Sequence, residues 1–452
     1  MNKNTSHRSH KLTRREFTKG TAGTVLAGTV LASMSNKGAA KTPDTIKLGL
    51  IGCGSRGTGA VIDAINAAAR VELVAMADLF PERIENALRY LRSPHKGTTR
   101  DFAGQYGSLN VDWNGMEAIK VPPDRCFSGF NACQQILETD IDILISGTPP
   151  YCRPMHIRAA LEAGKHLFAE KPMAVDPKGV RSVLASVELA KKKGLGFMGG
   201  TQLRFSRPYN AVISRIHDGQ IGEITSVECY WWHDYFVNWH VHPRMSEWSD
   251  TEFQIRCWPQ FVWTGGDHIV ENLVHNIDVM NWIMGGPPKS AVALGGHSNW
   301  NDWKIKGNVF DHFYVEYTYP NGVKGHASSR QIKNCTYRLG ERAIGTRGVA
   351  NPYSGIQGEH PFDYPGSFDN PRTIQWAEYI ESIRQGRPLN EGTQIAEATM
   401  TAILGRMAAY TGRAINYSWA LNQSKLDLVP ETLEFGPHPV EAQATPGITP
   451  LV

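Results

Sequence analysis

The sequence has few cysteines, little low-complexity composition and no long run of strongly apolar residues. Its seven cysteines are an odd number without a C-x-x-C pair. This argues against a disulfide framework and a cysteine zinc cluster, and it predicts mostly free, buried thiols. Glycine (44) and proline (26) stay below the share typical of low-complexity chains. The 452 residues therefore predict a large globular protein, most simply of two domains with roughly 100–200 residues each.

The chain has only a small excess of positive charge, and that excess lies at one end. It has 47 lysines and arginines against 43 aspartates and glutamates, a net charge of +4. Residues 1–40 hold seven of the basic residues and one acid, so they have a net charge of +6 and the rest of the chain −2. A slightly acidic mature chain does not fit a nucleic-acid-binding protein, and we predict no nucleic-acid partner.

The basic N-terminus has the order of a twin-arginine export signal. Its parts are Arg14, Arg15, Phe17 and Lys19, a mildly apolar run at 21–33, and the small residues Gly38 and Ala40. The apolar run is shorter than the ~20 residues of a membrane-spanning helix, so we expect no stable membrane span. We predict a signal peptide at 1–40 and a periplasmic or otherwise exported protein; a disordered basic tail is the alternative.

A glycine-rich turn between a predicted strand and a predicted helix indicates a dinucleotide site. The segment consists of a β-type run at 46–51, Gly52, Gly54 and Gly57, an alanine-rich helical stretch to 69, a strand at 71–77 and Asp78. Gly52 permits the tight turn, Gly54 the approach of the pyrophosphate, and Gly57 close packing of helix against strand. The helix N-terminus then offers free N–H groups to the phosphates. A glycine turn that binds no nucleotide is the alternative.

Asp78 bears on the choice between NAD and NADP. A carboxylate at this position accepts hydrogen bonds from the adenosine ribose and repels a 2′-phosphate, which favours NAD. Arg56 lies next to the predicted phosphate position and partly offsets that repulsion, so NADP is the alternative. Because free nucleotide is scarce outside the cytoplasm, we expect the cofactor to be tightly bound.

Strands continue to alternate with helices up to about residue 200. Further strands are predicted at 141–146, 165–169 and 195–199, and helices through 156–163 and at 177–193. This rhythm predicts an α/β doubly wound parallel sheet, a Rossmann domain at 41–203, with its ligand at the carboxyl ends of the strands. Only 93–123, after a predicted helix at 81–91, breaks the rhythm, and we interpret it as a long surface excursion.

Several motifs resemble the family of glucose-fructose oxidoreductase, inositol dehydrogenase and MocA-like proteins. They are the glycine turn, Thr148-Pro149 followed by His156, Ala163-Gly164-Lys165-His166, Glu170-Lys171-Pro172 and His275-x-x-Asp278. The resemblance implies that Lys171 and His275 flank the substrate carbon whose hydride goes to the nicotinamide. It also implies an acid one helical turn before the histidine. Here that acid is Glu271, where the family usually has aspartate.

The motifs and the resemblance together name the residues that we expect to hold the two ligands. For the cofactor they are Gly52, Gly54, Ser55, Arg56, Gly57, Asp78, Thr148, Pro149, His156, Glu170, Lys171 and Gln202. For a small-molecule carbohydrate substrate they are Arg204, Trp231, His233, Trp263 and Asp278.

The second half of the chain changes to long, alternating β-type runs. These runs lie at 224–236, 309–319 and 323–329. They predict a large, mostly antiparallel open sheet in an α+β domain at 204–422. Helices at 371–384 and 394–410 and a loosely ordered tail at 423–452 complete the chain. In the resembling family this sheet often forms the oligomer contact and the C-terminal helices pack on the first domain, so we expect a homo-oligomer, a dimer or a tetramer.

Aromatic and histidine residues are concentrated in the second half. Six of the twelve tryptophans are Trp231, Trp232, Trp239, Trp248, Trp258 and Trp263. Indole rings with polar neighbours suit stacking on sugar rings, which favours a carbohydrate ligand; an aromatic core or an oligomer interface is the alternative. His240 and His242, with His233 nearby, lack the ligand set that accompanies a metal, and we predict no metal site.

The segment 265–282 is predicted to be a helix that holds the catalytic groups. Glu271 and His275 are four residues apart and would share one face, and Asp278 follows His275 by three. A carboxylate there orients the imidazole and raises its basicity, as a general base for alcohol oxidation requires. A histidine on such a helix, taken by itself, is also typical of a structural residue.

These features predict an exported NAD(P)-dependent oxidoreductase acting on a hydroxyl of a sugar or sugar derivative. One alternative is an NAD-dependent glycoside hydrolase, in which transient oxidation acidifies a C–H bond and the glycoside is eliminated. Lys171 argues against the well-known hydrolase branch of the family, which typically lacks this lysine. The other alternative is a non-catalytic sugar or nucleotide sensor.

Overall fold

The computed structural model describes residues 45–100, 108–233, 243–298 and 307–452. For 95–100 and 108–112 it describes the backbone alone. The predicted signal peptide at 1–40 and the residues Trp239, His240 and His242 lie outside the described residues. None of the helices in the described ranges is both long and apolar enough to cross a membrane. All seven cysteines are free thiols, and four of them are buried.

The first part of the described chain is a doubly wound α/β domain, as predicted. In chain order its elements are β1 (Ile46–Ile51), α1 (Ser55–Ala67), β2 (Val71–Asp78), α2 (Pro81–Leu91), β3 (His95–Arg100), β4 (Ser108–Trp113), β5 (Cys126–Ser128), α3 (Ala132–Leu137), β6 (Ile143–Ser146), α4 (Arg153–Glu162), β7 (His166–Ala169), α5 (Pro177–Lys193) and β8 (Phe197–Gly199). Six strands pair in parallel in the order β5-β2-β1-β6-β7-β8. Their near-continuous apolar sequences are buried because helices cover both faces.

The predicted surface excursion at 93–123 is partly built into the domain. It begins with the antiparallel hairpin of β3 and β4. Trp113, at its end, is buried, and its indole N–H donates to the Leu91 carbonyl (2.8 Å). The chain then returns as the edge strand β5. Strand β5 and helix α3 are missing from the prediction because they are short. The strand has three residues and the helix has six.

The second domain contains a mostly antiparallel sheet of eight strands. Its elements are α6 (Arg207–His217), β9 (Ile224–His233), α7 (Asp250–Arg256), α8 (Val262–Gly265), α9 (His268–Glu271), α10 (Val274–Met284), β10 (Ser290–Gly296), β11 (His312–Thr318), β12 (Lys324–Gln331), β13 (Arg338–Gly345), β14 (Gly348–Asn351), β15 (Gly355–Gly358), α11 (Pro371–Arg384), α12 (Gly392–Thr411), β16 (Ile415–Asn416) and α13 (Tyr417–Asn422). The strand order is β15-β14-β13-β9-β12-β11-β10-β16, and the β9–β12 pair is parallel. The prediction of a large, mostly antiparallel sheet is confirmed.

The two faces of this sheet differ in exposure. Alternate residues of β11 and β12, such as Val315 and Ala327, are fully buried on the face that α10 and α12 cover. The opposite face leaves Leu294 74% exposed and Tyr314 46% exposed. One face therefore belongs to the core, and the other presents apolar side chains to the surroundings.

The two C-terminal helices α11 and α12 contact the first domain. The Trp376 ring stacks on Phe168 with centroids 4.4 Å apart. The Tyr379 hydroxyl donates to the Leu167 carbonyl (2.9 Å), and Met173 N donates to the Thr399 hydroxyl (3.1 Å) of α12. These contacts hold β7 and the segment after it against α11 and α12.

The tail differs from the expectation of a loosely ordered segment. Residues 423–452 contain no helix or strand, yet they make hydrogen bonds to both domains. For example, Leu428 N donates to Asp176 Oδ2 (2.8 Å), and the Gln443 amide donates to the Val309 carbonyl (2.9 Å). The sequence of the tail, which is rich in proline, has no helix or strand periodicity that would have predicted this packing.

Candidate functional site

The glycine turn after β1 is shaped by close backbone contacts. Gly52 has φ +87°, and a Cβ there would lie 2.5 Å from Thr148 N. A Cβ on Gly57 would lie 2.1 Å from the Gly52 carbonyl oxygen. Both positions therefore require glycine to pack α1 against β1.

Gly147 is a third glycine of this packing, and the sequence reasoning missed it. A Cβ on Gly147 would lie 2.6 Å from Gly57 Cα and 2.9 Å from the Gly52 carbonyl oxygen. It directly follows the buried strand β6 and precedes Thr148. Its position at the carboxyl end of β6, the strand beside β1, is the sequence feature that could have identified Gly147.

The N-terminus of α1 fits the diphosphate of a dinucleotide. A Cβ on Gly54, the residue before the helix, would meet no described atom within 4 Å, so the space beside it is open. The helix has no side-chain cap and no acid in its first turn, and Ser55 is exposed there. Its first N–H groups and the positive end of its dipole are thus available to an anion.

Asp78 holds the loops around the adenosine end of this site. Its Oδ2 accepts a hydrogen bond from Cys53 N (2.7 Å), and its Oδ1 accepts one from Phe80 N (3.0 Å). Burial raises the pKa of this carboxyl, against the two backbone donors, which lower it. A carboxylate has about four acceptor positions, so Asp78 can still accept from a ribose hydroxyl.

Arg56 has a different set of partners from the one we expected. Its Nη2 lies 2.6 Å from Asp63 Oδ2, and its Nε lies 2.9 Å from Glu170 Oε1. Both carboxylates neutralise the guanidinium, so Arg56 joins α1 to the loop after β7. This pairing weakens the argument that Arg56 attracts a 2′-phosphate.

Thr148 and His156 form a polar pair next to the glycine turn. The Thr148 hydroxyl lies 3.3 Å from His156 Nδ1 and 3.1 Å from the Ser146 hydroxyl. Burial lowers the pKa of His156 to about 4, so its imidazole is neutral at neutral pH. Pro149 accepts a hydrogen bond from the Cys152 thiol (3.3 Å), which shapes the same loop. Gln202, buried in a short helical turn after β8, lies at the other end of this rim.

Lys171 connects the two domains at the centre of the rim. It is buried at the carboxyl end of β7, and its Nζ donates to Glu271 Oε1 (2.9 Å) and to the Glu271 carbonyl (2.5 Å). Burial raises the pKa of the Glu271 carboxyl, and the charges of Lys171 and Arg153 oppose that rise. Arg153, which sequence reasoning missed, is also buried and donates to the Pro172 carbonyl (2.5 Å).

His275 lies in the same pocket. Its ring packs beside the Trp231 indole, with centroids 6.2 Å apart and planes inclined by 21°. Burial lowers its pKa well below the usual value, and the positive charges of Lys171, Arg372 and Arg56 lower it further. The expectation that a carboxylate raises its basicity is therefore wrong for this pocket. The imidazole is neutral and can accept a proton.

The predicted single helix through Glu271 and His275 is broken. Helix α9 ends at Glu271 and α10 begins at Val274, so the two side chains reach the pocket from separate helices. Buried polar contacts from the sheet hold the segment: Ser329 to His268 (2.9 Å), Gln331 to Asn272 (3.1 Å) and Glu341 to Asn276 (2.5 Å). None of these sheet residues was predicted.

Arg204 and Asp278, both expected to bind substrate, bind each other. Arg204 Nε and Nη2 donate to the two Asp278 carboxylate oxygens at 2.8–3.1 Å. Asp278 is almost fully buried, and this bidentate pair uses the oxygens that we expected to orient His275. The pair instead fixes α10 to the short helical turn after β8.

The two tryptophans expected to bind substrate are both buried. Trp231 packs beside His275 and belongs to the main core, and Trp263 lies in an aromatic cluster and donates to Gln254 Oε1 (2.7 Å). Trp263 is thus a core residue, as in the alternative interpretation of the cluster. His233, at the end of β9, contacts the Tyr337 ring at 5.5 Å.

No three histidine, cysteine or carboxylate side chains are grouped as metal ligands in the part of the chain that the structure describes. His233 belongs to that part, but His240 and His242 do not. The pocket around Lys171 and His275 contains an imidazole that can accept a proton and an ammonium group that can bind an anionic oxygen, and open space lies beside Gly54 at the start of α1.

Comparison with known families matches both domains. A profile described as "Oxidoreductase family, NAD-binding Rossmann fold" matches residues 46–200. A second, described as "GFO/IDH/MocA C-terminal domain", matches residues 209–351. The first domain is accordingly an NAD-binding Rossmann domain.

Curated relatives match part of the chain. Inositol 2-dehydrogenase of Rhizobium meliloti (strain 1021) is 30% identical over 183 residues, 40% of this chain and 44% of its own length. A 2,7-anhydro-N-acetylneuraminate hydratase of Escherichia coli (strain K12) is 24% identical over 182 residues, again 40% of this chain and 44% of its own length. The chain thus matches less than half the length of these relatives.

Solved structures share the fold over most of the chain. Aldose-aldose oxidoreductase from Caulobacter crescentus, complexed with glycerol, superimposes with a TM-score of 0.61 at 18% identity, covering 82% of this chain and 99% of its own. The WlbA dehydrogenase from Bordetella pertussis, in complex with NADH and UDP-GlcNAcA, gives 0.60 at 18% identity, covering 82% and 98%.

Proposed function

The chain belongs to the GFO/IDH/MocA family of oxidoreductases, and from this we propose that it transfers hydride between a hydroxyl of a sugar or sugar derivative and a bound nicotinamide. The observation that supports this proposal is the convergence of Lys171, Glu271 and His275 in one buried pocket beside the dinucleotide site. Three polar groups from both domains meet there, and they include the base and the cationic donor that hydride transfer from an alcohol requires.

Each residue has a role that follows from its surroundings. A bound oxidised nicotinamide would supply the hydride acceptor for the carbon that bears the hydroxyl. Burial and nearby positive charges keep the His275 imidazole unprotonated before the reaction. In the proposed reaction it takes the hydroxyl proton as hydride leaves, when that proton is most acidic. Lys171 Nζ stabilises the negative charge that develops on the oxygen. Glu271 holds Nζ in place through its side chain and its carbonyl.

The substrate class rests on the relatives. Trp231 lies beside His275, but it is only 4% exposed and belongs to the main core, so it supports the wall of the pocket and does not present an open face to a sugar ring. Relatives named as inositol dehydrogenases and as an aldose-aldose oxidoreductase support a polyhydroxylated substrate. We propose a polyhydroxylated ring with its reacting hydroxyl between Lys171 and His275.

The cofactor is proposed to be NAD that stays bound through many turnovers. Asp78 at the adenosine end and the neutralised Arg56 both favour NAD over NADP. We also propose export by the predicted signal peptide at 1–40, which makes retention of the cofactor a requirement. Fractionation of cells that express the chain, with Arg14→Lys/Arg15→Lys as the comparison, should place only the parent sequence in the periplasm.

The exposed face of the second sheet supports a homo-oligomer. Leu294 and Tyr314 lie on adjacent strands of this face, and apolar side chains so exposed favour burial against another surface. We propose that this face joins two copies of the chain. Light scattering on the purified protein gives the subunit number, and a monomer would contradict this part of the proposal.

The activity is tested on the purified protein without added nucleotide. We expect denaturation to release NAD and a panel of sugars and inositols to produce the absorbance of reduced nicotinamide in the native protein. Release of aglycone from glycosides without net reduction would identify a hydrolase instead. Release of no nucleotide, together with no binding of added NAD, would contradict the proposal.

A further inference from the structure

The segment 425–438, which we call the strap, crosses from the first domain to the second over the rim of the parallel sheet. At its start, Leu428 N donates to Asp176 Oδ2 (2.8 Å), and the Asp427 carboxylate lies 2.5 Å from Lys178 Nζ. Both partners belong to the beginning of α5 in the first domain. The start of the strap is therefore fixed beside the carboxyl end of the sheet.

The end of the strap is fixed to helix α7 of the second domain. The Gly436 carbonyl accepts hydrogen bonds from Thr251 N (3.2 Å) and from the Thr251 hydroxyl (3.1 Å). The His438 carbonyl accepts from the Gln254 amide (2.5 Å), and the His438 ring contacts Trp263 edge to face at 5.0 Å. Two domains thus hold the strap at its two ends.

Between these attachments, Phe435 joins two aromatic residues of the first domain. Its ring lies 6.1 Å from Phe80, nearly parallel, and 4.9 Å from Phe130, edge to face. Phe80 follows Asp78 by two residues and donates its backbone N–H to that carboxylate. Phe130 follows β5, whose last residue, Ser128, pairs with Asp78. The three rings therefore border the ends of β2 and β5.

This is the place where a doubly wound sheet holds the adenosine half of a dinucleotide. In such folds the nucleotide lies outside the carboxyl ends of the strands, with the acid after the second strand at the ribose. Phe435 and Phe130 are 44% and 39% exposed although they contact each other. Apolar rings at a purine site are covered when the flat base packs against them.

We propose that the strap is part of the cofactor site and that Phe435 packs against the adenine ring and slows nucleotide release. The proposal rests on the NAD-binding domain and deepens the proposed function by giving the retained cofactor a structural cause. Since release then requires the strap to move, its attachments at Asp176 and Thr251 set how readily the adenosine end opens.

The test compares Phe435→Ala with Phe368→Ala, a change at another exposed phenylalanine that packs on Tyr353 and Tyr364. We expect Phe435→Ala to increase the NADH dissociation rate, followed by nicotinamide fluorescence, by about tenfold, since one base–aromatic stack is lost. Phe368→Ala should leave the NADH dissociation rate unchanged. Phe435→Tyr, which keeps an aromatic ring, should have the dissociation rate of the parent protein. The affinity for reduced nicotinamide mononucleotide, which has no adenine, should be the same in all variants.

Two results would overturn the proposal that Phe435 packs against the adenine ring. An unchanged or slower release from Phe435→Ala would overturn the proposal, because the ring would then be uninvolved or would occupy the place of the base. Equal losses for NADH and the mononucleotide would show general loosening of the site, which also overturns it. If the parent protein binds NADH and the sugar panel fails, the proposed activity is wrong while the strap proposal still stands on the release rates.

Discussion

Replacing Lys171 with methionine is expected to lower turnover by a factor of about 1,000 or more while NAD binding changes only a few-fold. Methionine keeps most of the volume of the buried side chain but removes the ammonium group. Nζ is held by the side chain and the carbonyl of Glu271, so its position depends on the pocket and not on the nucleotide. Turnover is measured with whichever polyol reduces the bound NAD.

The variant must be separated from simple damage to the pocket. Loss of Lys171 leaves the buried Glu271 carboxylate without its closest cation, so the double variant Lys171→Met/Glu271→Gln removes that stranded charge. We expect the double variant to regain thermal stability and to remain inactive. The control is Lys191→Met, which changes an exposed lysine of α5 and should retain full turnover. Substantial turnover in either Lys171 variant would remove this residue from the mechanism.

The first domain was predictable because its signals are local. Helices α2 and α5 begin at a proline and occupy the predicted residues, as does α11 of the second domain. Proline at the first position fits a helix start, and Gly194, with φ +66°, ends α5. Buried strands between such helices predict a parallel, doubly wound sheet, and the structure confirms that arrangement.

The catalytic segment was less predictable because its shape depends on residues far along the chain. The apolar spacing through Ile269 and Leu273 is that of one helix, and nothing nearby in sequence marks the break at Asn272. The partners that hold the broken segment, Gln331 and Glu341, come from the sheet some 60 residues later. Burial raises the pKa of Glu341 to about 7, a sign of how fully the sheet encloses it.

The pairing of Arg204 with Asp278 was also not predictable, because it depends on a contact between residues far apart in the sequence. Arg204 and Asp278 are each typical of a sugar-binding residue when considered alone. Their bidentate contact spans 74 residues and becomes visible only once α10 packs beside the turn after β8. A buried carboxylate requires a charged or hydrogen-bonding partner, and Arg204 is that partner for Asp278, so the pair holds two elements together.

Two glycine substitutions of equal size should separate binding of the cofactor from folding. For Gly54→Ala we expect an unchanged melting temperature in the nucleotide-free protein, within about 2 °C, and an NAD affinity about 100-fold weaker. Gly54 has ordinary extended angles (φ −74°, ψ 179°), and its Cβ would meet no described atom within 4 Å. The added methyl therefore costs the fold little and lies where the diphosphate approaches α1.

Gly57→Ala should give the other outcome. Its Cβ would lie 2.1 Å from the Gly52 carbonyl oxygen, a distance that forces backbone atoms apart, so we expect the melting temperature to fall by about 5–10 °C. Calorimetry and NAD titration on both nucleotide-free variants provide the check. If Gly54→Ala binds NAD normally, the diphosphate does not approach α1 at this residue. A loss of stability in Gly54→Ala equal to that in Gly57→Ala would mean that both glycines serve packing, and the opening beside Gly54 would lose its functional meaning.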